Sequence, residues 1–298
     1  MGTILLRPYV FAFLAVYLVG ASLQFGYRVT LLFLLVGYII AFASEYSSIH
    51  WGFPYGDYFY IPETIDRELW VLGVPFMDSL SYVFLAVCSY ATALFVLSPF
   101  QRLPSKVRPS TTPGTSVPSP SPVSVPGRRL GPDRTLVLLD GPQTRQGWAP
   151  WLLGAFLMVL LDVVIDPLAL RGERWFLGKI YGYRNPGAYF GIPMSNFYGW
   201  LLVALVMIRV FQWLVARAGT FPGRIGIARP LLATVWGPVL YACILLFNLA
   251  VTFAIGEVSL GIASSFITSA FLVMGWALVY YKRRYPTADD RDHTIDRK

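Results

Sequence analysis

The sequence predicts an all-α integral membrane protein, a bundle of about seven transmembrane helices, and three observations carry that reading. The 298 residues are 56% hydrophobic and only 13% charged, with a mean hydropathy of +0.57, more apolar surface than a water-soluble domain can bury. Seven stretches are long enough to cross a hydrocarbon layer of about 30 Å as helices. Backbone groups find no water in lipid, so a crossing segment is a helix or a barrel strand, and stretches of this length select helices.

In chain order the expected spans are 9–25, 29–44 (or to 46), 75–97, 148–170, 192–215, 231–255 and 258–281. The first resembles a signal peptide but is long and lacks a small-residue cleavage site. Leu6 stands where N-myristoylation requires Ser or Thr. Cys88 and Cys243 fall inside spans as packing residues, and two isolated cysteines make neither a metal motif nor a disulfide framework. No metal site and no cofactor are expected. Between the third and fourth spans lies a Pro/Ser/Thr-rich run, PSTTPGTSVPSPSPVSVPG, which is too poor in apolar side chains to pack. The expected organisation is therefore a three-helix membrane segment (1–97), a disordered linker (98–147), a four-helix segment packed with the first as one domain (148–281), and a charged tail (282–298).

A formal charge of +8 could indicate nucleic acid binding, but most of the 24 Lys and Arg fall in segments on one side of the alternating spans. They include Arg28, the run from Arg102 to Arg145, and the tail from Lys282 to Lys298. This is the positive-inside bias, so the basicity orients the chain in a bilayer and no nucleic acid partner is expected. The carboxyl terminus is expected in the cytoplasm and the amino terminus outside.

Gly73-Val-Pro75-Phe-Met-Asp78 and Gly191-Ile-Pro193-Met-Ser-Asn196 share the pattern Gly-x-Pro-x-x-Asp/Asn, each opening a span, and Gly52-Phe-Pro54-Tyr-Gly-Asp57 repeats it in a loop. Proline suits a first helical turn, where its missing N–H is no loss. The echo suggests a span–loop–span duplication, with coincidence as the alternative.

Under alternating topology Glu45, Asp78, Asp162, Asp166, Asn196, Asn248 and Glu257 all map to the same end of the bundle. Ionised groups are expensive in hydrocarbon, so the expected arrangement is one polar chamber near the outer face. Asp162 and Asp166 are spaced i, i+4 and share a helix face. Two such carboxyls in low dielectric do not readily both ionise, so one is expected to hold a proton, unless Arg171, Arg174 or a hydroxyl satisfies the pair. His50 alone reads most simply as an interfacial hydrogen-bond donor. The segment EYSSIHWGFPYGDYFY adds Trp51, Tyr55, Tyr58, Phe59 and Tyr60, and further along stand Tyr189, Phe190 and Trp200. These rings fit an interfacial aromatic belt, or equally a wall whose π faces stabilise a cation.

EYSSIHWGFPYGDYFY, LGVPFMDSLSY and DVVIDPLALRGERWFLGKIYGYRNPGAYFGIPMSNFYGW resemble the carotenoid-biosynthesis membrane family that includes carotenoid 1,2-hydratases and bisanhydrobacterioruberin hydratases. The resemblance runs from Gly37 to Arg217 apart from the linker, which is longer than the family suggests, and more loosely to Tyr281. It implies cofactor-free addition of water across the terminal C1=C2 bond of an acyclic carotenoid, in a bacterial or archaeal cell membrane, with other carotenoid-pathway enzymes as possible partners. A compatible mechanism takes Asp78, Asp162 or Asp166 as the acid and Glu45 and His50 for water handling. Trp51, Tyr55, Tyr58, Tyr60, Tyr189, Phe190, Asn196 and Trp200 would bind the polyene or isoprenoid substrate. Excluding water would turn the same cation chemistry into a terpene or carotenoid cyclase. Prenyl transfer on a diphosphate, with Asp162 and Asp166 holding Mg²⁺, is a weaker rival, and a non-enzymatic lipid carrier is the reading outside catalysis.

Overall fold

The computed structural model describes residues 7–104, 134–139, 141–218, 228–230 and 234–285. Among the described residues seven helices are long and apolar enough to cross a membrane. They are α1 (Pro8–Phe25), α2 (Tyr27–Trp51), α3 (Phe76–Leu97), α4 (Trp148–Ala169), α5 (Met194–Arg217), α6 (Trp236–Ala254) and α7 (Val258–Arg284). Contacts at both ends establish that successive helices alternate in direction. Arg7 before α1 reaches Asp78 at the start of α3, and Asn196 at the start of α5 reaches Asp166 near the end of α4. At the other end the indole N–H of Trp236, opening α6, donates to Gln24 near the end of α1. Lys282, near the end of α7, donates to the carbonyl of Ser98 just past α3.

α3 sits at the centre and packs against α1, α2, α4 and α6, so its side chains from Tyr82 to Ala91 are almost all buried. Small residues permit close approach where lipid supplies little drive for helices to associate. A Cβ at Gly154 on α4 would lie 3.1 Å from the Tyr90 Cα, and one at Gly237 on α6 would lie 2.5 Å from the Ala91 Cβ. The opposite extreme is α7, where Phe266 and Trp276 are exposed along with most of the helix, as a lipid-facing surface requires.

Three departures from the sequence expectation have physical reasons. The second span does not stop near Ser44 but continues to Trp51, so Glu45 lies within a helix, its carboxylate accepting a hydrogen bond from Ser79. The prolines of the Gly-x-Pro pattern are N-caps with extended backbone, one residue before the first turn, which makes Asp78 and Asn196 the third residue of α3 and α5. The ends of the segment expected to be a disordered linker are ordered. There β4 (Phe100–Pro104) pairs with β5 (Arg134–Leu139), and β5 pairs with β7 (Ala228–Pro230). A helical turn at Pro142–Arg145 follows, with Arg145 fully buried. Its carbonyl accepts from Tyr90 and Gln212, and its guanidinium lies over the Phe25 ring. The centre of the expected linker, 105–133, and most of the expected tail lie outside the described residues.

At the acidic end, the loops on either side of the linker repeat each other. β1 (Tyr58–Tyr60) and β6 (Tyr181–Tyr183) are Tyr-x-Tyr strands that pair antiparallel about Phe59 and Gly182, so each Tyr faces a Tyr. A two-residue turn follows in each loop. Leu72-Gly73 joins β2 (Trp70–Val71) to β3 (Val74–Pro75), and Phe190-Gly191 joins the bridged residues Tyr189 and Ile192. All four turn residues have positive φ, at 47° and 82°, then 50° and 94°, as a type I′ hairpin turn demands. Proline, then a helix with Asp78 or Asn196 in its first turn, completes each copy. The loop version at Gly52 differs, because Pro54 opens no helix and Asp57 pairs at the surface with Arg184.

Candidate functional site

Helices α2, α3, α4 and α5, roofed by β1 and β6, enclose a cavity of about 100 Å³ that holds three carboxyls: Glu45, Asp78 and Asp166. On the α2–α3 side the Ser79 hydroxyl donates to Glu45 Oε2 at 2.5 Å. The Tyr60 hydroxyl lies close to both Glu45 and Asp78. Asp78 Oδ1 also accepts from Arg7 Nη1 at 3.1 Å, and Arg7 forks its Nε and Nη2 onto Glu68 at 2.7 and 2.8 Å. A buried guanidinium with two carboxylates is a strongly ionised arrangement. Burial alone would lower the Arg7 pKa, but Asp78 and Glu68 outweigh it and hold the group above its ordinary value.

The α4–α5 side is built differently. Asp162 and Asp166, one helical turn apart, contact each other. The Asn196 side-chain N–H donates to Asp162 Oδ2 at 3.0 Å and to Asp166 Oδ2 at 2.7 Å. Oδ1 of Asp162 is buried with no donor facing it among the described residues. A proton held between the two carboxyls would satisfy that oxygen and remove their repulsion. The nearby guanidiniums are engaged elsewhere: Arg171 binds Glu257 and the carbonyls of Pro167 and Phe190, and Arg174 binds Glu257 and the carbonyl of Ile255. Among the described residues no cation is paired with either carboxyl of this pair.

Aromatic rings make the walls. Strand alternation sends residues two apart to one face, so Tyr58, Tyr60, Tyr181 and Tyr183 all line the cavity while Phe59 lies on the far face over Gly182. Tyr82 and Trp200 stack at 4.2 Å with their planes 9° apart, and the Tyr55 hydroxyl meets Ser44 Oγ at 2.9 Å. Burial pushes the hydroxyls of Tyr55, Tyr58, Tyr60, Tyr181 and Tyr183 well above the ordinary tyrosine range. They therefore stay neutral, offering O–H donors and π faces rather than phenolates.

Of the residues singled out from sequence, Glu45, Asp78, Asp166 and Asn196 line this cavity together with Tyr55, Tyr58, Tyr60 and Trp200. Asp162 sits one layer behind, fully buried and joined through Asn196. Four others are not brought there. His50 is exposed and bonds the Tyr46 carbonyl through Nδ1, and Trp51 is 74% exposed. His50 projects from α2 opposite Glu45 and Ser48, which mark its buried face, while Trp51 is the last residue of the helix, at the flank of that face. Tyr189 and Phe190 form the hairpin before α5, Phe190 at positive φ beneath the Arg171 guanidinium. Asn248 and Glu257 also lie off this cavity, the latter ion-paired with Arg171 and Arg174. Sequence reasoning passed over Arg7 and Glu68, and also Tyr181 and Tyr183, whose Tyr-Gly-Tyr matches Tyr58-Phe-Tyr60. That repeated Tyr-x-Tyr was the available signal.

A model of the carotenoid biosynthesis protein family matches residues 4–113 and 135–276. No curated protein and no solved structure matches the chain.

Proposed function

The chain belongs to the carotenoid biosynthesis protein family, and on that premise we propose that it is a hydratase adding water across the terminal C1=C2 bond of an acyclic carotenoid. The observation that carries this reading is the difference between the two sides of the cavity. A carboxyl pair without a cation, suited to holding a proton, faces an arginine-held carboxylate across walls of neutral aromatic rings.

Asp166, the member of the pair that lines the cavity, donates its proton to C2 of the alkene. The C=C electron pair forms the new C–H bond and leaves a tertiary cation at C1. Ring faces of Tyr58, Tyr181 and Trp200, with the Asp78 carboxylate, stabilise that charge in a medium of low dielectric. Water attacks C1 and loses a proton to Glu45 or Asp78, both near the Tyr60 hydroxyl. Returning that proton to the Asp162–Asp166 pair closes the cycle. One water is added and no electrons change hands, so the residues supply the whole reaction by general acid–base catalysis. Asn196 and Asp162 hold Asp166 in place. Asp162-x-x-x-Asp166 fits this role better than Mg²⁺ ligation, since the Asn196 N–H donors occupy the position where a cation would bind.

We place the acidic end at the outer face of a prokaryotic cell membrane, because the opposite end gathers Arg28, Arg217 and Lys282. The substrate is then an isoprenoid drawn from the bilayer. Expression in a host that accumulates an acyclic carotene, with mass analysis of the pigments, tests the reaction. A gain of one water supports hydration. An isomer of unchanged mass means ring closure, and pigment bound by purified protein without conversion means a carrier.

A further inference from the structure

A second cavity, also of about 100 Å³, lies on the other side of the α3–α4 pair, between α1, α3, α4 and α6. It shares six residues with the first: Asp78, Ser81 and Leu85 on α3, Ile165 and Ala169 on α4, and Ile180 from the following loop. The spacings i, i+3, i+7 and i, i+4 put each set on a single helix face. Residues that border both spaces stand between them as a shared boundary, whose smallest members are Ser81 and Ala169.

Beyond this boundary the lining is mostly hydrocarbon, with Arg7, Asp78, Ser81 and Asn248 as its polar members. Tyr9, Val10, Phe13, Phe84, Trp175 and Ile244 line the space. Their rings form a continuous wall, Tyr9 to Phe13 and Tyr9 to Trp175 at 6.3 Å, Phe13 to Phe84 at 6.1 Å. Arg7 borders the cavity, yet its Nε and Nη2 go to Glu68 and its Nη1 to Asp78. An anionic head group would have to break those bonds. Flat rings with no uncommitted charge suit a flat, neutral, conjugated chain held by dispersion and exclusion from water.

We infer that this second cavity seats the short stretch of polyene next to the reacting end group, and that a portal at Ser81 and Ala169 threads the chain between α3 and α4 into the acidic cavity. The inference rests on the carotenoid reading of the first cavity. An end group delivered to Asp166 is attached to a long apolar chain that must leave by an apolar route, and the portal leads to one walled by aromatic rings.

Binding rather than turnover is the readout, so that the two readings can fail separately. Full-length protein in lipid nanodiscs is loaded with an acyclic carotenoid, and pigment per protein is measured by absorbance after gel filtration. Ile244→Trp and Val10→Phe fill the second cavity from α6 and α1 without touching a carboxyl. Each folded variant should lose polyene affinity by about tenfold or more, the scale of filling or emptying an apolar subsite, while still retaining a short acyclic monoterpene alkene that needs only the first cavity. Unchanged polyene stoichiometry in a folded variant overturns the inference, as does an unaltered protein that binds no polyene. If the unaltered protein binds polyene, loses it on Ile244→Trp, and adds no water, the subsite stands and the hydratase reading falls.

Discussion

The two halves of the acidic cavity share a scaffold and differ in charge. Each runs helix, Tyr-x-Tyr strand, two-residue positive-φ turn, proline cap, and a helix with Asp78 or Asn196 as its third residue. The paired strands meet in the register that a two-fold axis would produce. Within this frame the first half carries Glu45 and Asp78 with Arg7 as countercharge, and the second carries Asp162 and Asp166 with only an amide between them. The difference teaches where a proton can reside. A carboxylate fixed by a buried guanidinium is stabilised as an anion, whereas two carboxyls in contact without a cation are stabilised by sharing a proton. A duplicated frame with unequal charges thus separates a donor side from an acceptor side.

The largest effect is expected on the donor side. Asp166→Asn keeps size and the Asn196 contact but cannot deliver a proton, and loss of a general acid lowers turnover by roughly 10²–10⁴-fold. Pigment conversion in isolated membranes, with thermal unfolding in detergent to verify folding, measures it. Conversion near the wild-type rate would move the donor to the other half and reverse the comparison.

Arg7→Met breaks the asymmetry from the acceptor side. It removes the guanidinium that Asp78 and Glu68 share, and removing one partner of a buried ion pair costs about 3–5 kcal/mol. The thermal midpoint should fall sharply. Asn196→Leu is the matching change in the second half, and stranding two acceptors costs about 1–3 kcal/mol each. A larger loss from Asn196→Leu than from Arg7→Met would mean that the amide, not the guanidinium, is the stronger anchor.

The bundle was legible from the sequence because hydropathy reports directly on lipid contact, and the common depth of the acids followed from counting spans. The end of α2 was not, because a charge such as Glu45 halts a hydropathy window even where Ser79 satisfies it. That error carried His50 and Trp51 into the expected site. Once the helix is known to reach Trp51, the positions of Ala41, Glu45 and Ser48 on its buried face put His50 on the other side, and Trp51 falls at the exposed last turn. Arg7 was hidden for a different reason. An ion pair spanning 71 residues has no local sequence pattern, and a lone arginine before a span looks like a loop charge. The paired ends of the expected linker rest on strand contacts between distant segments, β5 with β7 among them, which composition alone does not report.

Glu257→Gln is the smallest expected change and fixes the boundary of the site. Glu257 falls at the same end of the bundle as the four inner acids, which made it a chamber candidate by depth alone. Its carboxylate instead faces Arg171 at 3.1 Å and Arg174, both partly exposed, and borders neither cavity. Ion pairs open to solvent contribute about 1 kcal/mol or less. The amide keeps one hydrogen bond to an arginine, and Arg171 still holds the carbonyls of Pro167 and Phe190. Pigment conversion should therefore stay within about twofold of wild type, with a stability loss of about 1 kcal/mol at most. A loss of turnover like that of Asp166→Asn in a stable Glu257→Gln protein would extend the proton path to the α6–α7 turn, and the contrast between the two halves would no longer account for the chemistry by itself.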